Sequence, residues 1–213
     1  MEGVQTFNDF NLKSICDILA EKDQLFKSVI NTHGYPPFWN RKANFETLVH
    51  IILEQQVSLS SARAALNKLK EKLGAITPQK IFLLTDAELR ACYLSRQKIL
   101  YVKDLAQAII SKKLNLTQLS NLSDDIAKEE LMKIKGIGEW TATVYLMMAL
   151  QRVNLFPAGD IGIIVSIKEE KGLHENPSKG DIKELAESWK PYRTLAAYIL
   201  WHSYLSKRKR QNY

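Results

Sequence analysis

Two cysteines, Cys16 and Cys92, are all that the 213 residues contain. That is too few for a disulfide framework or for a four-cysteine zinc or iron–sulfur site within the chain, and it points to a reducing compartment. No apolar run approaches the roughly 20 residues of a membrane-spanning helix; in the most apolar part of the chain the longest runs from Val144 to Leu150. The first ten residues, MEGVQTFNDF, carry no basic patch followed by an apolar stretch, so no secretory signal is expected. His33, His50, His174 and His202 do not pair at ligand spacing, and no catalytic metal is expected. Internal repeats and low-complexity linkers are also missing. The expected location is cytoplasmic, or nuclear in a eukaryote, with no membrane partner.

What is present is core and positive charge. Hydrophobic residues make up 46% of the chain, enough for one large domain or two small ones. The formal charge is +7 and the pI about 9.3. A basic balance suits a polyanionic partner, although alone it is a weak signal. The apolar periodicity is helical almost throughout. Phe45, Leu48, Val49, Ile52 and Leu53 fall on one helical face behind Asn44 as N-cap. Pro78 after Thr77 opens another helix, and Thr85 with Glu88 forms a capping box. Ser123, Asp124 and Asp125 start the helix that leads into the stretch discussed next. The β-branched run after Asp160, Ile161 to Glu170, is compatible with a strand but has no partner strand, so it is taken as a buried helix. About ten short helices are expected.

The stretch LMKIKGIGEWTATVYLMMAL, Leu131 to Leu150, interrupts apolar helix with Gly136, Ile137 and Gly138. Glycine inside a helix costs about 1 kcal/mol against alanine, so the break implies a turn. Gly136 and Gly138 permit positive φ and close approach of another backbone. A helix starting near Glu139 directs its first, unpaired amides into that turn. Those amides and the positive helix end make an anion site suited to a phosphate, with Lys133 and Lys135 alongside. A plain helix–helix connection is the other use of such a turn.

The longer pattern L-x-x-I-K-G-I-G-x-W-T-A resembles the helix-hairpin-helix of the DNA glycosylase superfamily. The resemblance continues through LFPAGD, which places Pro157, Gly159 and Asp160 at the family's spacing. It also includes ILEQQVSLSSARAA and SWKPYRTLAAYILWHSYL, and it runs from about Phe45 to Tyr204. It is nearest to the bacterial 3-methyladenine DNA glycosylase II branch.

The resemblance implies an all-α fold of two helical subdomains with an active cleft between them. One is residues 41–150, with the hairpin at about 131–150. The other joins residues 1–40 to 151–213 and carries the catalytic aspartate, Asp160. The implied activity is base-excision repair: a monofunctional glycosylase flips out alkylated purines such as 3-methyladenine, hydrolyses the N-glycosidic bond and leaves an abasic site. Breaking that bond builds positive charge on the sugar, which a fixed carboxylate stabilises. Asp160 also stands where it can cap the helix beginning at Ile161. Family members that nick the strand carry a lysine where this chain has Trp140, so no lyase activity is expected. Trp140, Trp201 and Tyr145 are the expected base pocket; a cationic purine over an indole face gains about 0.5–2 kcal/mol. Gln56 is the expected wedge that fills the gap left by the flipped base. Lys135, Gly136, Ile137, Gly138 and Thr141 are expected to bind DNA. No cofactor is expected for catalysis, but family hairpins hold a structural monovalent cation on carbonyls that correspond to Met132, Ile134 and Ile137. The expected partner is double-stranded DNA with damaged bases, and the expected state a monomer. Two rivals stay open: a glycosylase for deaminated or oxidised bases, and a non-catalytic DNA-binding module.

Overall fold

The computed structural model describes residues 5–208. Among them are twelve α-helices and one short 3-10 helix, with no strand beyond an isolated antiparallel bridge between Thr6 and Arg152. The chain separates into two compact units, Met1–Asn40 with Gln151–Tyr213, and Arg41–Leu150. Among the described residues no helix is long and apolar enough to cross a membrane.

The continuous unit holds α3 (Phe45–Glu54), α4 (Leu59–Leu73), α5 (Pro78–Leu83), α6 (Asp86–Ala91), α7 (Arg96–Ile110), α8 (Asp124–Met132) and α9 (Glu139–Ala149). Every residue of α9 from Thr141 to Ala149 is buried. A helix apolar on all sides belongs at a centre, and α3 and α8 pack against this one. Burying each Leu or Val contributes about 1.5–3 kcal/mol, so α9 anchors its own N-terminal hairpin firmly. The expected caps form: Asn44 accepts from Thr47 N, and Thr85 and Glu88 bond reciprocally. At the end of α3, the buried Glu54 receives both guanidinium nitrogens of Arg41, at 2.8 and 3.1 Å.

The discontinuous unit holds α1 (Asp9–Lys22), α2 (Gln24–His33), α10 (Ile161–Lys171), α11 (Lys179–Glu187) and α12 (Arg193–Lys207). The bridge at Thr6 joins its two chain segments, through Phe7 N to Gln151 O and Val153 N to Gln5 O. The central helix is α12, buried from Thr194 to Leu200 and packed on α1, α2 and α10. The ambiguous β-branched run is helical. Asp160 caps its start and Gly172, in the left-handed conformation, ends it. About ten helices were expected, and the two additional ones are α1 and α2. The cap of α1 is a box made by Asn8 and Asn11, which lacks the usual Glu or Gln at its third position.

Candidate functional site

The discontinuous unit fixes Asp160 through the loop before it. At the start of α12, the Thr194 hydroxyl donates to Arg152 O (2.6 Å) and accepts from Leu155 N (3.1 Å). Arg193 donates to the side chain and carbonyl of Asn154, at 2.8 and 2.9 Å. Trp189 packs its buried ring on Phe26 and Phe156. The WKPYR segment therefore clamps the loop that delivers Pro157 to Asp160. Asp160 then caps α10, with Oδ1 accepting from Ile163 N at 3.1 Å and from Trp201 Nε1 at 2.9 Å. Trp201 stands in an aromatic group with Tyr198 and Trp39, whose ring centroids lie 5.8 and 6.3 Å away. Tyr198 donates to the carbonyl of Trp39. Gly162 completes this corner: a Cβ there would stand 3.1 Å from Asp160 Oδ1 and 3.5 Å from Trp201 Cδ1. The structure brings two of the expected site residues, Asp160 and Trp201, into direct contact and sets Trp39 and Gly162 beside them. Trp39 was missed because it sits in a Pro-Pro segment with no helical period and no motif.

The continuous unit carries the hairpin on a groove of about 590 Å³ lined by Gln55, Gln56, Ser95, Lys98, Tyr101 and the residues Met132 to Gly138. Gly136 has φ +88°, and a Cβ on it would fall 2.1 Å from the Tyr101 ring. Only glycine fits there. Gly138 is the N-cap of α9 and has no side chain with which to cap it. Its own N–H, like that of Gly136, makes no hydrogen bond among the described residues. An exposed helix start without a side-chain cap is a phosphate-sized anion site. Lys135 is exposed beside it and forms no ion pair among the described residues, whereas Lys133 pairs with Glu130. The Gln55 amide donates at 2.8 Å both to Gly136 O and to Thr141 Oγ1. Lys98 donates to Leu53 O at the end of α3; partial burial lowers its pKa. Gln56 follows, exposed and at φ +56°. A non-glycine residue held there is strained, and such strain clusters at functional positions.

Several expectations are corrected. Gly138 has φ −96°, so openness and not backbone freedom is what its missing side chain supplies. Thr141 is 2% exposed and receives Gln55, so it braces the hairpin from within and does not face DNA. The Ile137 side chain is buried and its amide is spent on Ile134 O, which leaves its carbonyl as its free group. Tyr145 is 0% exposed and does not line an open pocket; its hydroxyl has no hydrogen-bond partner among the described residues, and burial raises its pKa. Trp140 is half-buried in the first turn of α9. Among the described residues the carbonyls of Met132 and Ile137 accept no hydrogen bond, and that of Ile134 accepts one. These oxygens fit the monovalent cation that the resemblance implies. Of the basic C-terminal run, Lys207 pairs with Glu170 and Arg208 with Glu169, while Lys209 and Arg210 lie outside the described residues.

The family profile "HhH-GPD superfamily base excision DNA repair protein" matches residues 49–191. DNA-3-methyladenine glycosylase 1 of Schizosaccharomyces pombe is 31% identical over 190 residues, covering 86% of this chain and 83% of that protein. A DNA-3-methyladenine glycosylase of Bacillus subtilis is 30% identical over 169 residues, 74% of this chain and 56% of that protein. The chain spans 64% and 56% of the lengths of two Bacillus subtilis relatives. A solved structure of S. pombe 3-methyladenine DNA glycosylase in complex with abasic DNA superposes with a TM-score of 0.83 at 29% identity, over 88% of this chain and 95% of that one.

Proposed function

Because the chain belongs to the HhH-GPD superfamily of base excision DNA repair proteins, we propose that it is a DNA glycosylase that removes alkylated purines and leaves the strand intact. The observation that carries this reading is the Asp160 carboxylate, fixed at the start of α10 by Ile163 N and Trp201 Nε1 beside an aromatic group. The cap alone would serve any helix, but the bond from Trp201 ties the same carboxylate to the aromatic group, and that pairing supports chemistry over binding alone. These similar proteins bear the name 3-methyladenine glycosylase, which supports the substrate class, and one of them is bound to abasic DNA, which supports the activity.

In the proposed reaction the N-glycosidic bond breaks and its electron pair passes to the purine ring. An N3- or N7-alkylated purine is cationic, so this neutralises it and no general acid is needed. Asp160 stabilises the positive charge left on the deoxyribose. Water adds to the sugar carbon and loses its proton, to the carboxylate or to solvent. The rings of Trp201 and Trp39 receive the flipped, cationic base. Trp140 stands where strand-cleaving members carry lysine, and an indole does not form a Schiff base, so the product is an abasic site. The phosphate backbone is held by the amides of Gly136 and Gly138 and by Lys135, and Gln56 enters the space the base vacates. The test is an excision assay on duplexes that each carry one defined lesion. Release of N3- and N7-alkylated purines, with deaminated and oxidised bases left in place, supports the reading. Release confined to deaminated or oxidised bases refutes the substrate class, and release of none refutes the activity.

A further inference from the structure

We propose that Gln55 is a positioning residue that locks the wedge to the phosphate grip, so that seating a phosphate on the hairpin and inserting Gln56 become one act. This rests on the roles just assigned to Gln56 and the hairpin. Gln56 is an exposed side chain on a turn between α3 and α4, and its φ of +56° is unfavourable for any residue but glycine. Such a residue keeps its direction only if its neighbours overdetermine the backbone. Gln55 supplies the constraint. One Nε2 donates two bonds of 2.8 Å, to Gly136 O inside the hairpin and to Thr141 Oγ1 in the first turn of α9. Lys98 donates to Leu53 O in the last turn of α3, just before the turn that carries Gln56. Thr141 is buried and α9 is central to its unit, so the anchor does not move. Without it, the hairpin still offers its amides but the wedge no longer arrives in register with them. A displacement of about 1 Å is enough to cost two orders of magnitude in a positioned reaction.

The prediction is epistasis, because Gln55 acts through Gln56. The probe is a DNA duplex containing 2-aminopurine, whose fluorescence rises when the base leaves the stack. The wild-type chain raises that signal. Gln55→Leu and Gln56→Ala each reduce the rise at least threefold at saturating protein, and the double variant loses no more than Gln56→Ala alone. Affinity for the duplex changes less than twofold in Gln55→Leu, since the phosphate contacts remain. Thr141→Val, which removes one of the two acceptors, falls between wild type and Gln55→Leu and carries the test should Gln55→Leu not fold. Full unstacking by Gln55→Leu, or losses that multiply in the double variant, overturns the proposal. Base release is measured in parallel. A wild-type chain that unstacks the base but excises nothing contradicts the glycosylase reading and leaves the fluorescence comparison valid.

Discussion

At the scale of single residues, the corner around Asp160 has little slack. Gly162 is buried, and a methyl group there would press on Asp160 Oδ1 at 3.1 Å and approach Tyr204 Cδ1 at 3.4 Å and Trp201 Cδ1 at 3.5 Å. Alanine is nonetheless the better helix residue by about 1 kcal/mol. The two effects separate in Gly162→Ala. Its melting temperature should stay level or rise, while single-turnover base release falls on the order of tenfold or more, because the carboxylate is displaced from beneath the sugar. A variant that is as active as wild type would mean that the placement of Asp160 tolerates a shift of a few tenths of an ångström. Gly136 shows a different constraint. Its positive φ was legible from the broken helix, but the Tyr101 ring lying over it was not, since the two residues are brought together only by the packing of α7 on the hairpin.

At the scale of elements, the start of α9 is the proposed anion site, and Gly138 stands at its centre with open space where a side chain would be. Its extended backbone suits valine, so Gly138→Val should fold. The added side chain should keep a phosphate away from the amides, weakening binding about ten- to a hundredfold, the worth of one hydrogen bond to a charged group. The loss should be similar for every duplex, because phosphate contacts position and do not select. Titration of several lesion-bearing duplexes and an undamaged one checks this, with circular dichroism as the folding control; a changed lesion preference at unchanged affinity would count against it. Much of this level was legible in advance. Asn44, Thr85 with Glu88, and Pro78 mark helix starts because unpaired amides need those residue types. Helices α1 and α2 were not legible in the same way: an asparagine pair caps one and Asp23 the other, and no motif sets them in a known context. The Gln55 bonds and the Trp39 contacts join positions 81 and more residues apart, and local periodicity carries no information about such pairs.

At the scale of the molecule, each unit brings half of the proposed chemistry: the continuous one a grip for a phosphate and a wedge, the discontinuous one a carboxylate among aromatic rings. In the proposed reaction the residue at position 140 sets the product. With Trp140 in place of a lysine, borohydride should trap no covalent protein–DNA adduct, and the product strand should remain whole until alkali or an abasic endonuclease cuts it. Efficient trapping on a lesion-bearing duplex would require a nucleophile outside this account. The most direct measurement is single-turnover base release by Asp160→Asn, with DNA affinity measured on the same preparation. Asparagine keeps the size and the cap but removes the charge that stabilises the sugar cation. The expected result is loss of release by about three orders of magnitude or more, with affinity for the duplex within twofold of wild type. A folded Asp160→Asn protein that releases the base at close to the wild-type rate would contradict the assignment.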